Sequence, residues 1–560
     1  MVEAIVILSL FLGAVCGNFV VLERRDNPPD GFSRIGPTPL DQTLTLRLAL
    51  NQRDIPGLED TIYEVSTPGS SRYGQYLTKE EVEQFAAPSE DTISQVNEWL
   101  SSKNLTSSPI SPAGDWIAIN LSVSQANELL VADFSTFQNQ DTNVTVVRTL
   151  SYSIPTTLKS SISFVYPTVT FDHFFRSFTL SLNRPTVSPR ETVPADCQAE
   201  WTPACLQKLY GIPSSPAKPA ANVLGVSEFF NLFADKTDLK IFLETFRPDM
   251  PSNTSFDLIS VDGGINNQLP AGSSIFAALD IQYTVGLATG VPVAFISTGT
   301  LANDVTTEFL DQANYLLSLP KPPQTIVNND GNFESDLDGS LPIAISLCNA
   351  YAQLAARGVS YIVSTGIFGA GGIPFGNCLP FDPPFPATCP FVTAVGGTEF
   401  SPDNVAETGA SLSGGGFSNI FKRPGYQNEA VTSYLNASGS TKTSPFNISG
   451  RATPDLSAIS RASIVVEAFI DQGVGTTALS ANIVASMVSL LTNERIAAGK
   501  PGLGFLNPLI YQNPSAFKDM TGGSTLACDD PGFNATSGWD PVTGFGSPVY
   551  ENLREICNKL

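Results

Sequence analysis

The chain has 560 residues, too many for one ordinary domain, and its 42% apolar content is enough for substantial cores and excludes global disorder. Fifty-three acidic residues stand against 30 basic ones, a formal charge of −23. Such a surface repels phosphate backbones, which excludes nucleic acid as a partner and suits solubility in an acidic medium.

Ala4 to Val15 is an apolar run that ends in small residues, Ala14 to Gly17. It is too short to span a bilayer and reads as a cleaved signal peptide over residues 1–17, although its start carries Glu3 and no Lys or Arg. No other apolar run is long enough for a membrane span, so no membrane partner is expected. Sequons beginning at Asn104, Asn120, Asn143, Asn253, Asn436, Asn447 and Asn534 suit a secreted glycoprotein. Of eight cysteines, seven remain once Cys16 leaves with the signal. Cys197 and Cys205 are spaced for a small loop; either Cys378 pairs with Cys389, or one of these pairs with Cys348. Cys528 and Cys557 lie near the C-terminus, and the odd count leaves at least one thiol free or intermolecular.

Residues 18–182 read as a mixed α+β domain. Helices are expected over Leu58 to Val65, Lys79 to Phe85 and Asp91 to Leu100. Alternating runs follow at Asp115 to Leu121 and Asn143 to Leu150. Residues 183–200 hold three prolines and little periodicity, as a linker and processing region would. From 201 to 560 strands and helices alternate. Strands are predicted at Ala221 to Val226, Val291 to Ser297, Thr325 to Asn328, Ser360 to Ser364 and Phe391 to Val395. Helices are predicted at Ser273 to Leu287, Asp304 to Leu317, Pro342 to Arg357 and Ala478 to Ala498. Short apolar strands between longer helices give an α/β fold with a parallel sheet covered on both faces.

His173 is the one histidine, and it precedes the linker. A Ser-His-Asp or Cys-His site in the C-terminal domain is therefore excluded, and so is a zinc site of the H-E-x-x-H kind. Gly369 to Gly372 and Gly414 to Gly416 lack the G-K-[ST] ending of a phosphate loop and read as tight turns or close-packed backbone.

Several segments, in order, resemble one family. They include Tyr73 to Val82 (YGQYLTKEEV), Ala87-Pro88-Ser89, Thr202 to Leu206 (TPACL) and Leu279 to Tyr283 (LDIQY). Further on come Phe385 to Pro390 (FPATCP), Val395 to Thr398 (VGGT), Ser413 to Asn419 (SGGGFSN), Pro454-Asp455 and Gly504 to Leu509 (GFLNPL). The most specific is Gly538 to Gly546 (GWDPVTGFG). Together they resemble the sedolisins, subtilisin-fold serine-carboxyl peptidases, and among them the secreted fungal tripeptidyl peptidases. The resemblance implies a subtilisin-like parallel sheet, an activation propeptide ahead of it, and peptides as ligands.

It also implies a catalytic set. In the family a Glu takes the proton of a serine nucleophile. An Asp four residues later on the same helix face orients that Glu, and a second Asp lines the oxyanion hole. Here the orienting position is Asp280, but the Glu position is Phe276, and no acidic residue lies from Gln268 to Leu279. The oxyanion turn reads Ser364-Thr365-Gly366-Ile367, with Ile367 in place of Asp. The nucleophile turn reads Gly475-Thr476-Thr477-Ala478-Leu479, with Thr477 in place of Ser. An internal Thr has no α-amine to serve as its base, and Phe276 and Ile367 move no protons. Ser480, a turn further on, would still lack a base. For Asp280 a neutral form, or a hydroxyl or backbone donor, is expected, with Thr477 the candidate donor.

The family's calcium site maps onto Asp519 and Asp540 as carboxylates and Met520, Thr536 and Gly538 as carbonyl donors, an all-oxygen shell for one Ca²⁺. The alternative is a rigid surface loop. The expectation is thus a secreted sedolisin homologue that keeps its own propeptide as a partner, has lost catalysis, and holds peptides or a partner peptidase in its groove. The rival readings are an acid peptidase with altered machinery and a glycoprotein with no groove-based role.

Overall fold

The computed structural model describes residues 18–171, 201–218, 221–269, 274–299, 305–337, 339–372, 380–401, 406–440, 445–527 and 530–560. It describes Leu180, Ser181, 470–473 and 530–531 by backbone alone. The signal segment, His173, the linker, Cys197, Cys378 and Cys528 lie outside the described residues. The described residues form two compact units: those up to Arg53 with 87–171, and residues 54–86 with those from Leu180 onward. The helices Ile55–Ser66 and Lys79–Ala86, inside the stretch read as propeptide, therefore belong to the larger unit.

In the smaller unit, Thr43–Leu50 lies between Trp116–Ser122 and Ile162–Tyr166 in an antiparallel sheet. Alternation in Trp116–Ser122 sends Ile117, Ile119 and Leu121 into a core with Leu48, Val96 and Leu100. Helix Glu90–Ser102 starts where the Ser89 hydroxyl accepts from the Thr92 N–H. A further helix, Val123–Leu130, is fixed by a capping box between Ser122 and Gln125.

The larger unit is built on a sheet ordered Asp257–Val261, Val293–Thr298, Leu224–Glu228, Thr325–Asn328, Ser360–Ser364, Thr393–Phe400, with every one of these pairings parallel. Leu456–Ile459 adds in parallel to Thr393–Phe400, and Glu407–Gly409 adds antiparallel. From Leu224–Glu228 the chain first builds outward on one side and then returns to the other. The point where the order reverses lies between Leu224–Glu228 and Thr325–Asn328, and crevices form at the carboxyl ends of such strands. Helices Ile275–Leu287 and Thr477–Ala497 pack on one another, and nearly all their residues are buried, so neither shows one polar face. Beside them the hairpin Arg461–Val466/Phe469–Gly475 pairs at its end with Leu180–Ser181.

Of the disulfide alternatives, the pairing formed is Cys348–Cys389. Cys205 is also disulfide-bonded, and Cys557 is a free buried thiol. The Tyr73-to-Val82 segment holds the larger unit like a hook. The Tyr76 ring fills the space a Cβ would take at Gly358 and Gly504, both in the left-handed region at φ +81° and +66°. Its hydroxyl donates to the Leu503 carbonyl at 2.6 Å, and the Leu77 N–H donates to Ala356 O at 2.9 Å.

Candidate active site

Asp280 sits in the second turn of Ile275–Leu287, a helix opened by Ser274, whose hydroxyl accepts from the Phe276 N–H. The carboxylate is buried and accepts from Asn482 Nδ2 at 2.7 Å; Asn329 Nδ2 donates in turn to Asn482 Oδ1 at 3.2 Å. The expected hydroxyl donor is thus not the one used. The Thr477 Oγ1 donates instead to the Gly366 carbonyl at 3.0 Å, and the amide of Asn482, further along the same helix, takes its place. Phe276 is half-buried one turn before Asp280.

The two turns that would hold nucleophile and oxyanion close on each other. Thr476 caps its helix by accepting from Ala478 N at 3.2 Å, which leaves Thr477 at the helix start, fully buried. The Gly366 carbonyl accepts from Thr477 and also from the Gly414 N–H at 3.2 Å. A Cβ at Gly414 would stand 1.7 Å from the Thr365 carbonyl oxygen, so only glycine lets that loop cross there. Ile367 is buried at the same turn. Ser480 is fully buried, and its hydroxyl donates to the Ala458 and Ile459 carbonyls at 2.8 and 3.0 Å, which removes it as a shifted nucleophile.

Buried carboxyls missed in the sequence lie near Asp280: its charge reaches Glu228 and Asp330, and that of Glu308 reaches Asp330. Glu228 ends one central strand, Asp330 follows its neighbour, and Glu308 lies in helix Val305–Ser318. All are buried, and among the described residues Glu228, Asp280 and Asp330 form no ion pair. Burial pushes Asp280 up to about 6, against the pull of the Asn329 and Asn482 amides. Burial, reinforced by the charges of Asp280 and Glu308, pushes Asp330 up to about 7. Burial, then the charges of Asp330 and Asp280, holds Glu228 well above the usual range. Asn482 had one signal in the sequence, a lone amide in the apolar run Ala478 to Leu491. Glu228 and Asp330 had only their position at the ends of apolar strands.

The comparisons with known proteins agree with this architecture. Residues 30–171 match the Pro-kumamolisin activation domain. The chain is 35% identical to Tripeptidyl-peptidase SED2 of Arthroderma otae, covering 96% of each protein. This chain belongs to the sedolisin family. Probable tripeptidyl-peptidase SED2 of Arthroderma benhamiae is 34% identical, again over 96% of both. A Pseudomonas sedolisin, solved with two molecules of pseudo-iodotyrostatin, has the same fold at a TM-score of 0.50 and 22% identity; the match covers 64% of this chain and 98% of that one. The sedolisin fold of the larger unit and the activation domain ahead of it are those expected from the sequence. No described helix is long and apolar enough to cross a membrane.

Away from this site, Asp519 and Asp540 converge on one loop. Asp519 Oδ2 accepts from Gly538 N at 2.8 Å, and Asp540 Oδ2 accepts from Thr536 N at 2.8 Å. The other oxygen of Asp540 accepts from the Val542 and Thr543 N–H groups at 2.9 and 2.8 Å. Among the described residues no Lys or Arg pairs with either carboxylate, so no basic side chain neutralises the loop. Two carboxylates that no described Lys or Arg neutralises, held side by side by backbone N–H groups, are oxygen donors of the kind a hard cation takes.

Proposed function

We propose that this sedolisin homologue is a pseudopeptidase, exported through its signal segment, whose groove holds peptides without cleaving them. The observation that carries the reading is Asp280 bonded to Asn482 with Phe276, not a carboxyl, one turn before it. Asp280 has no catalytic base to orient. Thr477 spends its proton on the Gly366 carbonyl, and Ile367 offers the oxyanion turn no polar group. Loss of one member of such a unit removes most of the rate, and further losses add little.

The test is hydrolysis of peptide substrates from about pH 3 to 6, where carboxyls that share protons would work. Purified parent protein is run beside a Phe276→Glu, Ile367→Asp, Thr477→Ser variant. The expected result is no turnover by the parent and a gain of at least about 100-fold by the variant, the low end of general-base catalysis. Turnover by the parent above a mock preparation overturns the reading. A chain without turnover also keeps its linker, so protein from a protease-deficient host should retain residues before 201 covalently. Concentration-independent cleavage there at acid pH would count against it.

A second reading rests on the carboxyls around Asp280. In an acid peptidase with altered machinery, Asp330 would share a proton with Asp280 and stand in for the missing Glu. The same assay decides, because Asp330→Asn should then abolish the turnover of the parent.

The loop of Asp519 and Asp540 is inferred to hold one Ca²⁺, with Met520, Thr536 and Gly538 supplying carbonyl oxygens. At free calcium near 100 times the dissociation constant, binding stabilises by about 2.7 kcal/mol. Asp540 also accepts from backbone donors, so Asp540→Ala is less stable in itself, and the readout is the effect of chelator. Chelator should lower the melting temperature of the parent and leave that of Asp540→Ala unchanged; a parent indifferent to chelator excludes the ion.

A further inference from the structure

A cleft of about 900 Å³ opens in the larger unit, far from small for a ligand site, since such clefts run from about 300 to 1,000 Å³. Its aromatic wall is made by Tyr63, Tyr426, Tyr511 and Trp539. The rings form a chain: Tyr63 and Tyr426 lie 6.2 Å apart between centroids, and Tyr426 and Tyr511 lie 5.1 Å apart. Three of the four have their polar ends bonded to the protein. Tyr426 donates to Pro390 O at 3.0 Å, Tyr511 to Asp455 Oδ1 at 2.9 Å, and Trp539 Nε1 to Pro454 O at 3.0 Å. What remains for the cleft is the partly exposed ring surface of the three tyrosines, since Trp539 is buried. Helix Asn428–Ser438 also lines the cleft, through Glu429 and Ser433, both exposed.

That same helix carries the sequon Asn436-Ala437-Ser438 in its last turn. Asn436 is exposed and three residues beyond Ser433, so the two are neighbours on the helix surface, about 5–6 Å apart at Cβ. A group attached to Asn436 Nδ2 starts at the rim of the cleft. Pyranose rings present apolar C–H faces and polar edges, which match a lining that combines aromatic surface with Glu429 and Ser433. We propose that Asn436 carries an N-linked glycan and that the inner sugars of this glycan occupy the aromatic cleft. The bond formed joins Asn436 Nδ2 to C1 of an N-acetylhexosamine. The donor, a lipid-pyrophosphate-linked oligosaccharide of the export route, loses its lipid pyrophosphate, and the amide loses a proton.

The sequon at Asn447 has the opposite setting. Asn447 Nδ2 donates to Ser418 O at 2.9 Å, and its Oδ1 accepts from the Ser449 hydroxyl at 2.7 Å, so both ends of the amide and the sequon serine are engaged.

The inference rests on export, and the experiment separates the two. The full chain is produced in a eukaryotic secreting host, and each sequon is scored by glycopeptide mass spectrometry. The folded glycoprotein is then treated with an endoglycosidase that cuts between the first two sugars. The glycan at Asn436 should be trimmed about tenfold more slowly than those at other occupied sites, the ratio that a modest 1.4 kcal/mol of contact gives. Ser433→Trp, at an exposed position, fills the cleft and should bring trimming at Asn436 to the common rate. An unoccupied Asn436 beside other occupied sites, or trimming at the common rate in the parent, overturns the inference alone. Absence of glycan at every sequon overturns the export reading and this inference with it.

Discussion

Asp455→Ala is expected to lower stability by about 3–5 kcal/mol, the range for breaking a buried ion pair by removing one partner. Asp455 and Arg451 are both fully buried and meet at 2.6 Å. The carboxylate also accepts from the Ala394 N–H at 2.8 Å and the Tyr511 hydroxyl at 2.9 Å. Alanine would strand a guanidinium and these donors in a dry interior, and single domains hold only about 5–15 kcal/mol in reserve. Urea midpoints measure the effect. A double variant, Arg451→Met with Asp455→Leu, should lose less than the single one, because no charge is left unpaired. A single variant within about 1 kcal/mol of the parent would show that water reaches Arg451.

Stability should fall as pH rises from about 4.5 to 7.5, with the carboxyls around Asp280 responsible for several kcal/mol. The sign follows from the direction of the shifts. Folding raises Asp280 to about 6 and Asp330 to about 7, so the folded state binds protons more tightly than the unfolded one. Their stabilisation is complete below the unfolded values near 4 and is lost as pH rises through 6 and 7. For Asp280 alone the loss is roughly 3 kcal/mol. Glu228 adds to it in the same direction, and among the described residues neither it nor the two aspartates has a cationic partner to oppose it. Melting curves at fixed calcium should flatten in Asp330→Asn and Asp280→Asn variants. At pH 4.5 Asp280→Asn should be close to neutral, since an amide replaces a protonated acid in shape and can still accept from Asn482. A profile that rises toward neutral pH would mean that these groups ionise freely.

Long periodic segments are legible in the sequence. The predicted helices at Leu58 to Val65, Ser273 to Leu287, Pro342 to Arg357 and Ala478 to Ala498 lie within a few residues of those formed. The parallel strands were marked by apolar runs such as Thr325–Asn328. Helix Lys236–Phe246 was not read, because its polar first turn hides an apolar stripe of Leu239, Phe242, Leu243 and Phe246. The Arg461–Gly475 hairpin was missed because its turn, Glu467-Ala468, lacks the glycine or asparagine that usually marks one, though both residues adopt positive φ. At the candidate site, substitutions at single positions were visible from motif spacing. The partners that replace the missing ones were not: Asn482 meets Asp280 across 202 residues of chain. A sequence read in order does not show such meetings.

The Tyr76 hook has a consequence for what a cut chain would be. Its ring lies over Gly358 and Gly504, and helix Ile55–Ser66 packs on helix Leu341–Ala356, all within the larger unit. A protease that opened the linker would therefore sever the backbone without freeing the N-terminal piece. The product would be a two-chain protein, one band in a native gel and two under denaturing conditions. The smaller unit would stay attached because the hooked segment is spliced between its own two halves.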